Sequence, residues 1–382
     1  MKIAILSADD RELYKRYSLD SPIIPVPQEA LLEGFLSIPN IEIHFISCFQ
    51  KRTSFPKRLN ANTFFHGLHV PSLGWMKSGF SGCIFSIRNV LKKILPDIVH
   101  GQGTERECGI AAAFSGFPNV ITIHGNMRAI ASFYKSPPGS YYWLASILES
   151  VALKKTGGVF CNSVYTEGLV RRSTTRTTLV PNPIRKVFFR PCIDRPRNPL
   201  PVFLNVGLIS PHKQQVEILE MAMSLYASGL RFSLKFIGRC PDSFYAKQFL
   251  SLISESSEFA KFLGVKSGVD LVREMDSANA FLHFPKEEAF GLVVAESLAR
   301  NLKLFGARVG GVVDIASSLQ DVELYDPADW LGLKNGIMRW IKAGFPPAPA
   351  TEPIMRSRYY PDVIANRHVE IYREILSANK IS

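Results

Sequence analysis

Short apolar runs alternate with helix-length amphipathic stretches along nearly the whole chain, and few architectures accept that pattern. In the first half the runs at 2–6, 41–46, 97–100, 119–124 and 157–161 predict strands, and 28–36, 85–95, 107–114 and 142–153 predict helices. The second half repeats the habit, with strands over 202–206, 233–237, 280–284, 302–305 and 322–325 and a helix over 211–225. Alternation of this kind implies an α/β protein with parallel sheets covered by helices on both faces. Pro191, Pro196, Pro199 and Pro201 fall close together with Arg195 and Arg197, where neither a helix nor a sheet interior would persist. The expected organisation is therefore two doubly wound domains, 1–195 and 196–345. Residues 346–382 then form a proline-rich linker and a final helix over 360–378 that crosses back to the first domain. Open sheets of this type bind ligands beyond the carboxyl ends of their strands, so the two domains are expected to face a cleft.

Composition narrows the function classes. At 382 residues and 46% hydrophobic content, the chain can bury two cores and is not disordered. No run approaches the ~18 apolar residues of a membrane-spanning helix. The first run is too short, and followed too soon by Asp9 and Asp10, to be a secretory signal. Six scattered cysteines without a Cys-x-x-Cys pair suit a reducing compartment, so a cytoplasmic protein is expected.

The formal charge of +12 is uneven. Residues 1–200 hold 25 Lys+Arg against 13 Asp+Glu, and residues 201–382 hold 20 against 20. Clusters at Lys51-Arg52, Lys57-Arg58, Arg88/Lys92/Lys93, Lys154-Lys155 and Arg171-Arg172 account for much of the excess. Ile84, Ile87, Leu91 and Ile94 form a stripe opposite Arg88 and Lys92, which first describes a core-packed helix. With Trp75, Phe80 and Phe85 nearby, the same segment also suits attachment to the anionic inner face of a membrane. The basic residues lack an aromatic-interleaved motif, so no nucleic-acid partner is expected. No Gly-x-Gly-x-x-Gly follows a strand, which argues against a nicotinamide dehydrogenase.

The chemistry-bearing segment is 284–299. Glu288 and Glu296 stand eight apart around a helix start near Gly291. Backbone N–H groups of Ala289, Phe290, Gly291 and Leu292 at that helix end would receive an anion such as a phosphate, with a carboxylate beside them to accept sugar hydroxyls. Taken alone, the pair also fits a solvated helix face. Lys213 follows a strand and opens a helix, a place where a surface lysine also fits.

Glu288-Ala-Phe-Gly-Leu-x-x-x-Glu296 resembles the Glu-x7-Glu motif of retaining GT-B glycosyltransferases of group 1, the family 4-like enzymes. Pro96-Asp97-Ile98-Val99-His100, Ile123-His124-Gly125, Val180-Pro181-Asn182-Pro183-Ile184, Asn205-Val206-Gly207 through Lys213, and Gly310-Gly311-Val312-Val313-Asp314-Ile315 are similar to further motifs of that family, in its order. The resemblance implies a GT-B fold of two Rossmann-like domains and transfer of a sugar, with retention, from a nucleotide sugar to a hydroxyl. The acceptor would be a sugar, glycan or lipid-linked molecule in glycan, polysaccharide or glycolipid assembly. It also implies catalytic roles for Glu288 at the donor sugar, His124 near the transition state and Lys213 at the diphosphate. Glu296 would hold the ribose, and Gly207, the 289–292 segment and Arg239 would complete the donor site. Gly310-Gly311 would let the backbone approach a ligand.

No Asp-x-Asp occurs, so no metal is expected, and no cofactor besides the substrate. Several positions depart from the pattern. Leu208 replaces a phosphate-binding Arg, which Arg239 or Lys286 would have to offset. Gln214 and Asn301 stand where the family has Gly, and Asn tolerates the left-handed backbone such a turn requires. Ser7-Ala8-Asp9-Asp10-Arg11 replaces a glycine-rich loop. A non-catalytic or phosphorylase-like GT-B protein is the alternative.

Overall fold

The apolar run Lys2–Leu6 becomes β1, buried on both faces and paired on both edges, as a central parallel strand covered by helices should be. The computed structural model describes residues 1–192 and 198–381. The expected boundary at 195/196, with Arg195, Pro196 and Arg197, lies outside the described residues. By its contacts the chain divides into a unit of Met1–Arg185 with Tyr359–Ser382 and a unit of Lys186–Arg358.

In the first unit, β1 is joined by β2 (Glu42–Phe49), β3 (Arg58–Asn60), β4 (Thr63–His69), β5 (Ile98–Gln102), β6 (Asn119–Ile123), β7 (Val159–Cys161) and β8 (Thr177–Leu179). Their spatial order is β3-β4-β2-β1-β5-β6-β7-β8, and all neighbours are parallel except the β3–β4 hairpin. The second unit holds β9 (Val202–Val206), β10 (Ser233–Ile237), β11 (Ala260–Phe262), β12 (Ala280–His283), β13 (Lys303–Ala307) and β14 (Glu323–Tyr325), in the order β11-β10-β9-β12-β13-β14 and all parallel. Chain order reverses between β1 and β5 in one sheet and between β9 and β12 in the other. Reversal points of this kind open a crevice at the carboxyl ends of the strands.

The final helix, Pro361–Ile381, packs on the helix Val26–Phe35 of the first unit. His100 of the Pro96–His100 motif is fully buried and ties this packing together. Its Nδ1 lies 2.5 Å from the Tyr372 hydroxyl and its Nε2 2.6 Å from Thr122 Oγ1.

Two expectations need correction. Helix Ser81–Ile94 does bury Ile87, Leu91 and Ile94, but Trp75 and Phe80, which also suited a membrane surface, belong to the same core at 5% and 2% exposure. Trp75 satisfies its indole N–H inside that core by donating to Val70 O at 2.9 Å. Phe85 alone of the three aromatics is exposed. The helix expected over 211–225 begins instead at Gln215 and runs to Ala227. Residues 211–214 form a turn ending in Gln214, whose left-handed φ of 58° interrupts the helical path. Among the described residues no helix is long and apolar enough to cross a membrane.

Candidate active site

β9 ends one residue before Gly207, whose N–H bonds to Ile237 O of β10 at 2.9 Å. The loop that follows is closed by Gln215, which accepts from Ser210 N at 3.2 Å and donates to Leu208 O at 3.0 Å. Lys213 therefore sits on a turn two residues before the helix rather than on its first turn. The loop after β12 is stitched to this one, because Lys286 N donates to His212 O at 2.9 Å and the Gln214 amide donates to Phe284 O at 2.8 Å. Gln214 is nearly fully buried, so its side chain supplies a bond that a glycine there would not.

Stitching the two loops brings Lys213 and Glu288 together across the β9–β12 reversal. Lys213 Nζ lies 2.5 Å from Glu288 Oε2. His283, the last residue of β12, places Nε2 3.0 Å from the same oxygen. Burial lowers the His283 pKa despite the carboxylate nearby, so the ring is neutral and donates its Nε2–H to Glu288. For Glu288 itself burial acts upward, but the Lys213 charge and the His283 bond outweigh it and hold the carboxyl at about 2. Both bonds use Oε2, leaving Oε1 without a hydrogen-bond partner among the described residues. The site thus presents a carboxylate that is ionised at neutral pH and held by two partners, one of them an ammonium.

Gly291, at φ 96°, caps the helix Leu292–Ala299, and Glu296 is buried within that helix at 2% exposure. Ala289, Phe290, Gly291 and Leu292 lead from Glu288 into it. Gly310-Gly311 was expected to let the backbone approach a ligand, and within the chain Gly311 makes a close approach to the Phe290 backbone. A Cβ at Gly311 would lie 2.6 Å from both Cα and O of Phe290, and Gly311 N donates to Glu288 O at 3.0 Å. The glycine is needed to seat the Glu288 loop. Arg239 follows β10 with an exposed side chain, and its carbonyl receives Ile209 N at 2.9 Å. Asn301 adopts the expected left-handed φ, 55°, and its Oδ1 accepts from Thr351 N and Glu352 N, each at 2.8 Å.

His124 belongs to the first unit, just past β6. Burial lowers its pKa to about 4, and its Nε2 lies 3.0 Å from both Gln102 Oε1 and Gln28 Nε2. It lines a small cavity together with Pro181, Asn182 and Pro183, so two motifs nearly sixty residues apart converge there. Neither His283 nor Glu105 stands out in the sequence. His283 is the one polar side chain in its apolar strand. Glu105 follows β5, and burial above all pushes its carboxyl up to about 7, with the Glu149 charge adding to the rise. Among the described residues no group of three or more His, Cys, Asp or Glu side chains is arranged to hold a metal.

The family model for glycosyl transferases of group 1 matches residues 194–351, and that for Glycosyltransferase Family 4 matches residues 38–186. Comparison with curated protein sequences returns no significant match. Among solved structures, a sucrose-phosphate synthase from Thermosynechococcus elongatus superposes with a TM-score of 0.77 at 15% identity, covering 99% of this chain and 100% of its own. A glycosyltransferase from Rickettsia africae gives 0.71 at 15% identity, with 98% of each chain covered. Anabaena HepE in complex with UDP gives 0.71 at 14% identity, covering 98% of this chain and 100% of its own. At these identities the structural likeness speaks for the fold, and the two family models speak for descent. Taken together, the paired parallel sheets and the two matched segments show that the chain belongs to the group 1 glycosyltransferases of GT-B fold.

Proposed function

We propose that the protein transfers a hexose from a nucleotide-sugar donor to a hydroxyl acceptor with retention, in the assembly of a glycan, polysaccharide or glycolipid. The observation that carries this reading is the Lys213–Glu288–His283 cluster at the sheet reversal of the second unit. A nucleotide-sugar donor is further supported by Anabaena HepE, a fold relative solved with UDP and with UDP-glucose.

Lys213 faces the departing diphosphate, and Glu288 receives the donor sugar through the oxygen its own partners leave open. Glu296 holds the ribose, and Gly207, residues 289–292 and Arg239 frame the nucleotide. The acceptor oxygen bonds to the anomeric carbon on the face from which the phosphate leaves, and that phosphate takes the acceptor's proton. His124, neutral at physiological pH, hydrogen-bonds the sugar without adding charge. The Lys213 ammonium does the work of a cation, so transfer is metal-independent and uses no cofactor. Exposed Phe85 beside exposed Arg88, Lys92 and Lys93 supports a cytoplasmic protein that attaches to the anionic inner face of a membrane.

Melting the protein against a panel of nucleotide sugars tests the donor assignment. A true donor at about 100 times its Kd stabilises by about 2.7 kcal/mol, a rise of roughly 5–10 °C for a domain of this size. Proton NMR of the product then reads the anomeric configuration. No shift with any donor would support the non-catalytic reading suggested by Leu208, and turnover only with orthophosphate would support the phosphorylase-like one.

A further inference from the structure

Where the family resemblance leads one to expect a glycine-rich loop after β1, Asp9 caps the short helix Asp10–Leu13, which carries Arg11 and Glu12, and all three residues are buried. The Arg11 guanidinium meets the Asp9 carboxylate at 2.9 Å through Nη2 and donates through Nη1 to Leu19 O and Ser54 O, each at 2.8 Å. Glu12 accepts the Gln50 N–H at 3.0 Å and pairs with Lys15 at 2.7 Å. Thr53 Oγ1 donates to Tyr17 O at 3.1 Å. These bonds fix residues 50–54, just past β2, from beneath. Each acid in the support is matched by a cation of its own segment.

The fixed segment carries Lys51 and Arg52 into a cavity of about 280 Å3 at the carboxyl ends of β2 and β4. Its floor is apolar. Phe49 is buried there, and the Phe55 ring crosses Gly67 so closely that a Cβ at Gly67 would lie 2.4 Å from it. Its rim is basic, with Lys51, Arg52 and His69 all exposed. Among the described residues none of these three enters an ion pair, and Lys51 Nζ only approaches the Tyr17 ring, at 5.7 Å. Unmatched cations over an apolar floor, on a buttressed loop at the ligand-binding end of a parallel sheet, are suited to an anion borne on a carbon framework.

We propose that this cavity binds a phosphate group carried by the acceptor. Arg52 offers a planar fork for two phosphate oxygens and Lys51 a point charge, while Phe49 and Phe55 receive the group to which the phosphate is attached. The inference rests on the reading that the first unit takes the acceptor. It also gives part of the charge surplus a place. The first unit holds 24 Lys+Arg against 15 Asp+Glu, a net +9, and the second 21 against 18, a net +3.

The full chain is compared with its Lys51→Ala/Arg52→Ala variant in two arms. Calorimetric titration with glucose 6-phosphate, against glucose, samples a soluble phosphate ester. Flotation with phosphatidylglycerol vesicles, against phosphatidylcholine, samples a lipid phosphate. At least one phosphate source should bind the wild type and bind the variant about 10-fold more weakly or worse, as expected for lost charge-assisted bonds. A loss confined to the first arm identifies a soluble phosphorylated acceptor, and a loss confined to the second a lipid-borne one. The proposal is overturned if neither source binds the wild type, or if every source that binds the wild type binds the variant equally well. The nucleotide-sugar melting panel, run on the same proteins, separates the two claims. A wild type that binds phosphate but responds to no donor would refute the glycosyltransferase reading and leave the cavity assignment standing.

Discussion

Lys213→Met removes the ammonium 2.5 Å from Glu288 while keeping most of the aliphatic stem. In the wild type, Lys213 and His283 overcome the effect of burial and hold the Glu288 carboxyl at about 2 instead of the ordinary 4.5. A difference of that size corresponds to about 3 kcal/mol of stability. His283 remains in the variant and the two side chains are 23% and 15% exposed, so the expected loss at pH 7 is smaller, about 2 kcal/mol, or roughly 4–8 °C in Tm. The wild-type contribution is complete above 4.5 and fades as pH falls towards about 2. Without the ammonium, burial prevails, the carboxyl titrates above its ordinary value, and acid relieves the variant. Melting both proteins at pH 7 and pH 4 should show a gap that narrows in acid. A gap that is absent at pH 7, or that stays constant with pH, would refute the coupling.

Gly311→Ala forces a Cβ against the Phe290 backbone. It should cost about 1–3 kcal/mol in urea unfolding and shrink the donor-induced melting shift, because the Glu288 loop must move. At Gln214, with φ 58°, the alanine variant keeps the backbone strain and loses the bond to Phe284 O, whereas glycine loses only the bond. Gln214→Gly should therefore be the more stable of the two by about 1 kcal/mol. Tyr372→Phe removes the hydroxyl partner of buried His100. It should cost about 1–2 kcal/mol and speed hydrogen exchange in the helix Pro361–Ile381, with exchange in the second unit unchanged.

Three strands are delimited to the residue by sequence alone. β1, β9 and β10 begin and end where their apolar runs do. Short or mixed segments escape. β3, β8 and β11 are three residues each, and β4 carries His66 and Gly67 within it. The Lys213–Glu288 pair is legible as two motifs, but not as a pair, since the residues are 75 apart and only the strand order brings their loops together. His283 escapes because an apolar strand ending in one histidine carries no local signal. Trp75 and Phe80 mislead for the opposite reason, because their composition suits a membrane surface as well as a core and only packing decides. The basic excess of the first half is plain in the sequence, whereas the Arg11–Asp9 support that gathers Lys51 and Arg52 at one cavity depends on long-range contacts.

The proposed role of Glu288, held ionised by Lys213 and His283, is to carry sugar transfer. Its most direct test is release of nucleoside diphosphate from the stabilising donor by wild type and by the near-isosteric Glu288→Gln variant, with donor binding followed in parallel. In the glutamine variant kcat should fall about 100-fold or more while the protein remains folded. Wild-type kcat in the glutamine variant would contradict that role.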